Sequence, residues 1–168
     1  MPLRPPILPP EGFGPDCPVI GDRDEIRRFV PQRDTFEMLH GILHYDPSGV
    51  AVAYRDVRDD EHWVSGHIPG MPLFPGVLMI ETAAQLCCYL FHKVKQDGRF
   101  FAFGGVDSVR FRGTVEPGDR IVIMTKTRRI RRHLGQFETQ AFVGSQMVYE
   151  GIVTGMVLAS HRERSAQA

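Results

Sequence analysis

At 168 residues the chain is long enough for one domain with a real core and leaves little for a second. With 42% hydrophobic and 24% charged residues it has the balance of a soluble globular protein. Its 20 basic and 20 acidic side chains cancel, which gives no support to broad nucleic-acid binding.

Seven of the 13 prolines fall in the first 18 residues, which excludes helix and central strand there and marks residues 1–21 as an N-terminal arm. The arm lacks the apolar run of a secretory signal. Beyond it, Ile26, Phe29 and Val30 at helical spacing predict a short helix that ends at Pro31. Residues 38–45 and 49–57 read as two strands around an Asp46-Pro47-Ser48-Gly49 turn. Residues 58–76, with Pro69, Gly70, Pro72, Pro75 and Gly76, read as loop.

From Gly76 to about Lys95 the side chains are apolar on nearly every face, which predicts a helix enclosed by other protein. Glu81, Thr82 and Gln85 interrupt it, and it is short for a bilayer span, so no membrane insertion is expected. Strands are expected over 100–103, 106–112, 120–129, 135–143 and 147–158, with partial alternation implying one buried sheet face. The sum is an α+β fold, an antiparallel sheet wrapped around one long helix, over residues 22–159. Residues 160–168 form a polar tail. Neighbouring Cys87 and Cys88 are poorly placed to bridge each other and read as inert core, and with Cys17 they fit a reducing, cytoplasmic compartment.

The informative stretch runs from His67 through Ile-Pro-Gly-Met-Pro-Leu-Phe-Pro to Gly76-Val77, then to Glu81 and Gln85. A carboxyl inside an apolar helix finds a partner or stays protonated, and a neutral Glu can donate a proton. Imidazole suits the complementary task of accepting one. Between them the first helical amides, of Gly76 and Val77, lack intrahelical partners and lie at the positive end of the helix dipole. Base, acid and carbonyl-polarising donors are the parts needed to remove a proton alpha to a carbonyl and expel a beta leaving group. The bland alternative is a loop histidine bonded to backbone and a Glu81 paired with Arg110 or Arg112.

This stretch resembles the beta-hydroxyacyl-acyl carrier protein dehydratases of fatty acid synthesis. The resemblance rests on His67 followed by Pro69-Gly70, on Pro75-Gly76-Val77-Leu78, on Glu81 fourteen residues after His67, and on Gln85 one turn later. It extends to Val30-Pro31-Gln32-Arg33, Gly105 to Arg112, and Val115-Glu116-Pro117-Gly118-Asp119. Ile68, Thr82 and Gln32 depart from the family's usual Phe, Ala and His, and the arm has no counterpart in it.

The resemblance implies a hot-dog fold and a homodimer, found also in larger assemblies of dimers, whose active sites lie between subunits. His67 would take the alpha proton of a (3R)-3-hydroxyacyl thioester, Glu81 would protonate the departing hydroxyl, Gly76 and Val77 would hold the thioester carbonyl, and Gln85 would support Glu81. The product would be a trans-2-enoyl thioester, with no later isomerisation. No cofactor is implied beyond the phosphopantetheine of the acyl carrier protein, which is the expected partner.

Two other readings compete: a hot-dog thioesterase, which would not need His67 opposite the acid, and an idle acyl-binding or assembly subunit. Arg128, Arg129, Arg131, Arg132 and His133 form either a docking patch for an acidic carrier or a solvated hairpin tip. Glu61, His62 and His67 lack the i, i+4 spacing of a helical zinc motif, so no metal is expected.

Overall fold

A computed structural model describes residues 3–96 and 99–158. The tail expected from residue 160 lies outside the described residues. Asp22 opens a short helix α1 (Arg23–Arg27) by accepting a hydrogen bond from Glu25 N at 2.9 Å. Strands β1 (Gly41–Asp46) and β2 (Val50–Asp56) follow, then helix α2 (Gly76–Lys95), then β3 (Phe101–Phe111), β4 (Arg120–Ile130), β5 (Leu134–Val143) and β6 (Gln146–Val157). The strands form one antiparallel sheet in the order β1-β2-β4-β5-β6-β3.

The inner face of the sheet closes on α2. Ala51, Ala53, Ile121, Ile123, Phe137 and Val153 meet Met79, Ala83, Leu86, Cys87 and Leu90 in one core cluster. The helix is not enclosed all round: Val77 is exposed, and Ile80, Glu81 and Ala84 are only partly covered. That stripe at helical spacing is the face on which a ligand or a second chain has room to lie.

The expectation of one buried sheet face is corrected at the sheet's centre, where Ile121 to Thr125 of β4 are buried without alternation. Val122 and Met124 point away from α2 into a second cluster with Leu43, Val52, Phe142 and Met147, roofed by Ile7, Leu8, Phe13 and Cys17. The proline-rich arm therefore lies on the outer face. It is tied there by Ile7 N donating to Gln140 Oε1 at 2.8 Å and Gln140 Nε2 donating to Pro5 O at 2.9 Å. One 3-10 turn occurs in it, at Pro10–Phe13, with proline in the first turn where its missing N–H is not needed.

The two runs expected at 100–103 and 106–112 are a single strand, β3, whose pairing with β6 shifts register around Gly104. The run expected from residue 38 becomes strand only at Gly41, because Met38 turns inward to bond α2.

Candidate active site

Glu81 is half-buried on the uncovered stripe of α2, one turn inside the helix. Its Oε1 accepts from Gln85 Nε2 at 2.8 Å and from Gln32 Nε2 at 3.3 Å. Gln85 is fully buried and bonds two further groups, accepting from Met38 N at 3.0 Å and donating to Phe36 O at 2.7 Å. It thus welds the segment before β1 to the helix. Neither arginine weighed as a partner for Glu81 reaches it: Arg112 pairs with the buried Glu150 at 2.8 Å, and Arg110 bonds Val109 O.

A small cavity of about 40 Å³ lies against Glu81, lined by Gln32, Ala84, Cys88, Phe101, Phe103 and neighbours. It shares Cys88 and Phe101 with a larger groove of about 640 Å³, floored by Phe29, Val30 and Phe100 and rimmed by Arg27, Arg28, Arg33, Lys93 and Arg99. Glu81, Ala84, Cys88 and His92 follow one helical line from the first space into the second. Burial pushes the Cys88 thiol up to about 12, and the neighbouring Glu81 charge adds to this; burial likewise pushes Cys87 up to about 12. Both thiols are unreactive, Cys87 within the core and Cys88 in the wall of these spaces.

At the head of the helix, Leu78 N and Met79 N bond Pro75 O at 2.9 and 3.2 Å, while the amides of Gly76 and Val77 make no hydrogen bond among the described residues. Glycine at 76 lets the Phe111 ring lie close, since a Cβ there would come within 2.8 Å of it. The helix start is thereby pressed under β3 with two donors free.

His67 sits apart. Its side chain is exposed, and it does not line the cavity at Glu81. Its backbone N donates to Trp63 O at 2.9 Å, in a loop fastened from below. There the Glu61 carboxylate accepts from the buried Arg55 guanidinium, from Trp63 Nε1 at 2.9 Å and from Arg58 N at 3.0 Å. Burial pushes the Glu61 carboxyl up, but these donors outweigh it and hold the group below the ordinary carboxylate range. Trp63 packs edge-on against Phe74, ring centroids 5.5 Å apart, so the loop is fixed at both ends of its proline-glycine run.

Beside this staple, half-buried His40 accepts from Asp56 N at 3.1 Å through Nδ1. Desolvation, aided by the charges of Arg23 and Arg55, holds its imidazole down to about 4. Glu61 therefore fastens the loop. Sequence reasoning missed Gln32, Arg55 and the role of Glu61; for Gln32 the only signal was its departure from the family's histidine.

The FabA-like domain model matches residues 30–152. The 3-hydroxyacyl-(acyl-carrier-protein) dehydratase FabZ of Natranaerobius thermophilus is 34% identical over 134 residues, 79% of this chain and 94% of that protein. FabZ of Teredinibacter turnerae is 36% identical over 128 residues, 74% of this chain and 88% of the other. Among solved structures, the dehydratase heterocomplex ApeI:P from Xenorhabdus doucetiae superposes with a TM-score of 0.71 at 15% identity, covering 84% of this chain and 95% of that one, a likeness in the hot-dog fold. With the family's matched region spanning both the His67 loop and the Glu81 helix, the chain belongs to the FabA-like family of 3-hydroxyacyl-acyl carrier protein dehydratases.

Proposed function

We propose that this chain dehydrates 3-hydroxyacyl thioesters borne on acyl carrier protein, with Glu81 as general acid and His67 as general base. The observation that carries the reading is the half-buried Glu81, held by Gln85 one turn below the two free amides of Gly76 and Val77. Those amides would bind the thioester carbonyl and stabilise the enolate-like charge. His67 would remove the alpha proton, the released electron pair would form the carbon–carbon double bond, and the carbon–oxygen bond would break toward oxygen. A proton from Glu81 completes the water, and solvent returns the proton from His67 to Glu81. The balance needs no cofactor, and the substrate's phosphopantetheine belongs to the carrier.

The acyl chain would run along Ala84 and Cys88 toward the larger groove. Because His67 does not line the Glu81 cavity, the site is read as shared, His67 of one subunit facing Glu81 of another. The surface for such pairing is the β3 edge, which has no neighbouring strand on its outer side among the described residues. Phe103, Phe111 and Val77 beside it are 52%, 50% and 69% exposed. The free thiols of Cys17, Cys87 and Cys88 fit a cytoplasmic enzyme. Among the described residues no helix is long and apolar enough to cross a membrane.

The test incubates the protein with a (3R)-3-hydroxyacyl-acyl carrier protein and follows enoyl thioester, free acid and free thiol by mass spectrometry. Enoyl product is expected, and His67→Ala and Glu81→Gln should each lower its rate by about 10²- to 10⁴-fold. Free acid would make the chain a thioesterase, and no product at several chain lengths would make it a binding subunit. Mixing the two variants so that subunits exchange should restore about a quarter of the sites if they are shared between two chains. No recovery on exchange would place both groups within one chain.

A further inference from the structure

Two amides meet on one oxygen of Glu81, and they are held in different ways. Gln85 keeps its place through Met38 N and Phe36 O whatever stands at position 81. Gln32 comes from 49 positions earlier in the chain, and Glu81 is the only hydrogen-bond partner of its side chain among the described residues. Its Oε1 is buried without a partner. A leucine there would fill similar space without stranding a polar atom, so packing does not call for the amide. What the amide adds is a donor to the carboxyl.

The point from which that donor projects is fixed. The Arg33 guanidinium donates to Val30 O and Gln32 O, both at 2.7 Å, and to Arg27 O at 3.0 Å, which locks the turn that follows α1. Gln32 Nε2 and Gln85 Nε2 then approach Glu81 Oε1 from separate elements, and no described residue donates to Oε2.

We propose that Gln32 is a positioning residue for the general acid: with Gln85 it occupies Oε1, so that Oε2 carries the transferable proton and faces the substrate. The inference rests on the dehydratase reading of Glu81. An oxygen that accepts two N–H bonds has no lone pair free for a proton, so the acid's proton goes to the other oxygen. With Gln85 alone the carboxyl could swing and exchange its two oxygens. With both amides its plane is set, and the proton waits where the hydroxyl leaves.

The experiment measures kcat, KM and melting temperature of the full chain on a 3-hydroxyacyl-acyl carrier protein for wild type, Gln32→Leu, Gln32→His, Glu81→Gln and the Gln32→Leu/Glu81→Gln pair. Gln32→Leu should lower kcat by about tenfold to a hundredfold, the scale of a misplaced reacting group. Its KM should stay within about twofold, because the interaction is used in the transition state. Gln32→His, whose ring N–H reaches the same carboxyl, should recover much of the rate and add a titration to the kcat–pH profile that the amide does not give. In the Glu81→Gln background the Gln32→Leu change should have no further effect on rate.

Wild-type kcat in Gln32→Leu would overturn the proposal while leaving the dehydratase reading intact. So would additive losses in the double variant, or a loss that follows melting temperature and is not recovered by histidine. A wild-type protein that forms no enoyl product would instead remove the dehydratase reading, and this inference with it.

Discussion

Glu81 and His67 are mounted in opposite ways. Glu81 stands on a buried helix, and the amides of Gln32 and Gln85 hold its carboxyl directly. His67 stands on an exposed loop, its side chain free, with the fastening in Arg55, Glu61 and Trp63 at the start of that loop. Glu81 is oriented by what touches it, whereas His67 is oriented by what holds its backbone. On the proposed reading, in which Glu81 donates a proton and His67 reaches across to another subunit, the first needs its surroundings specified and the second only a stiff support.

The comparison breaks most visibly if the loop's fastening is cut. Glu61→Ala strands the buried Arg55 charge and should cost about 3 kcal/mol, the scale of breaking a buried ion pair. Because His67 is held through this loop, kcat should fall as well if His67 acts as proposed. Urea midpoints together with steady-state rates check this, and an unchanged midpoint would show that the staple is idle.

Next in size is a pH effect on the same side of the molecule. His40 is held neutral, down to about 4 from its ordinary 6.5, chiefly by burial and then by Arg23 and Arg55. Its contribution is complete above the unfolded value and is lost as pH falls from there toward the folded one, because the unfolded chain binds the proton first. Discounted for partial solvent screening, the loss is roughly 2 kcal/mol. His40→Gln should flatten the decline of the urea midpoint between neutral pH and pH 4.5 relative to wild type. Parallel declines would clear His40 of the effect.

On the helix side a nearby change should do almost nothing. Thr82 adjoins Glu81 and is fully buried, but its hydroxyl only returns to Leu78 O of the same helix at 2.6 Å. Alanine has the higher helix propensity, so Thr82→Ala should stay within about 0.5 kcal/mol of wild type with Glu81 undisturbed. A large drop in melting temperature or rate would mean that the support of Glu81 extends further along α2 than its two amides.

What was legible in the sequence follows the range of the interactions. Helix α2 was readable from end to end, because nearly unbroken apolar character over residues 76–95 is a local signal. Gln85 beside Glu81 was implied by the family resemblance, and its bond to Glu81 spans a single helical turn. Gln32 meets Glu81 across 49 residues, and Arg55 meets Glu61 between a strand and a loop, so neither pairing leaves a periodic trace. The β3 bulge hid a continuous strand behind Gly104-Gly105, and the second buried sheet face was invisible because its cover is an arm with no apolar period.

That arm also sets an order of events. Ile7 and Pro5 are bound by Gln140, 133 and 135 residues further along, so they leave the ribosome long before their receptor exists. At roughly 5–20 residues per second, the wait is on the order of ten seconds. During it the arm's prolines keep it extended and unable to nucleate a helix of its own. The arm can therefore cover the outer face of the sheet only after β5, which carries Gln140, has been made.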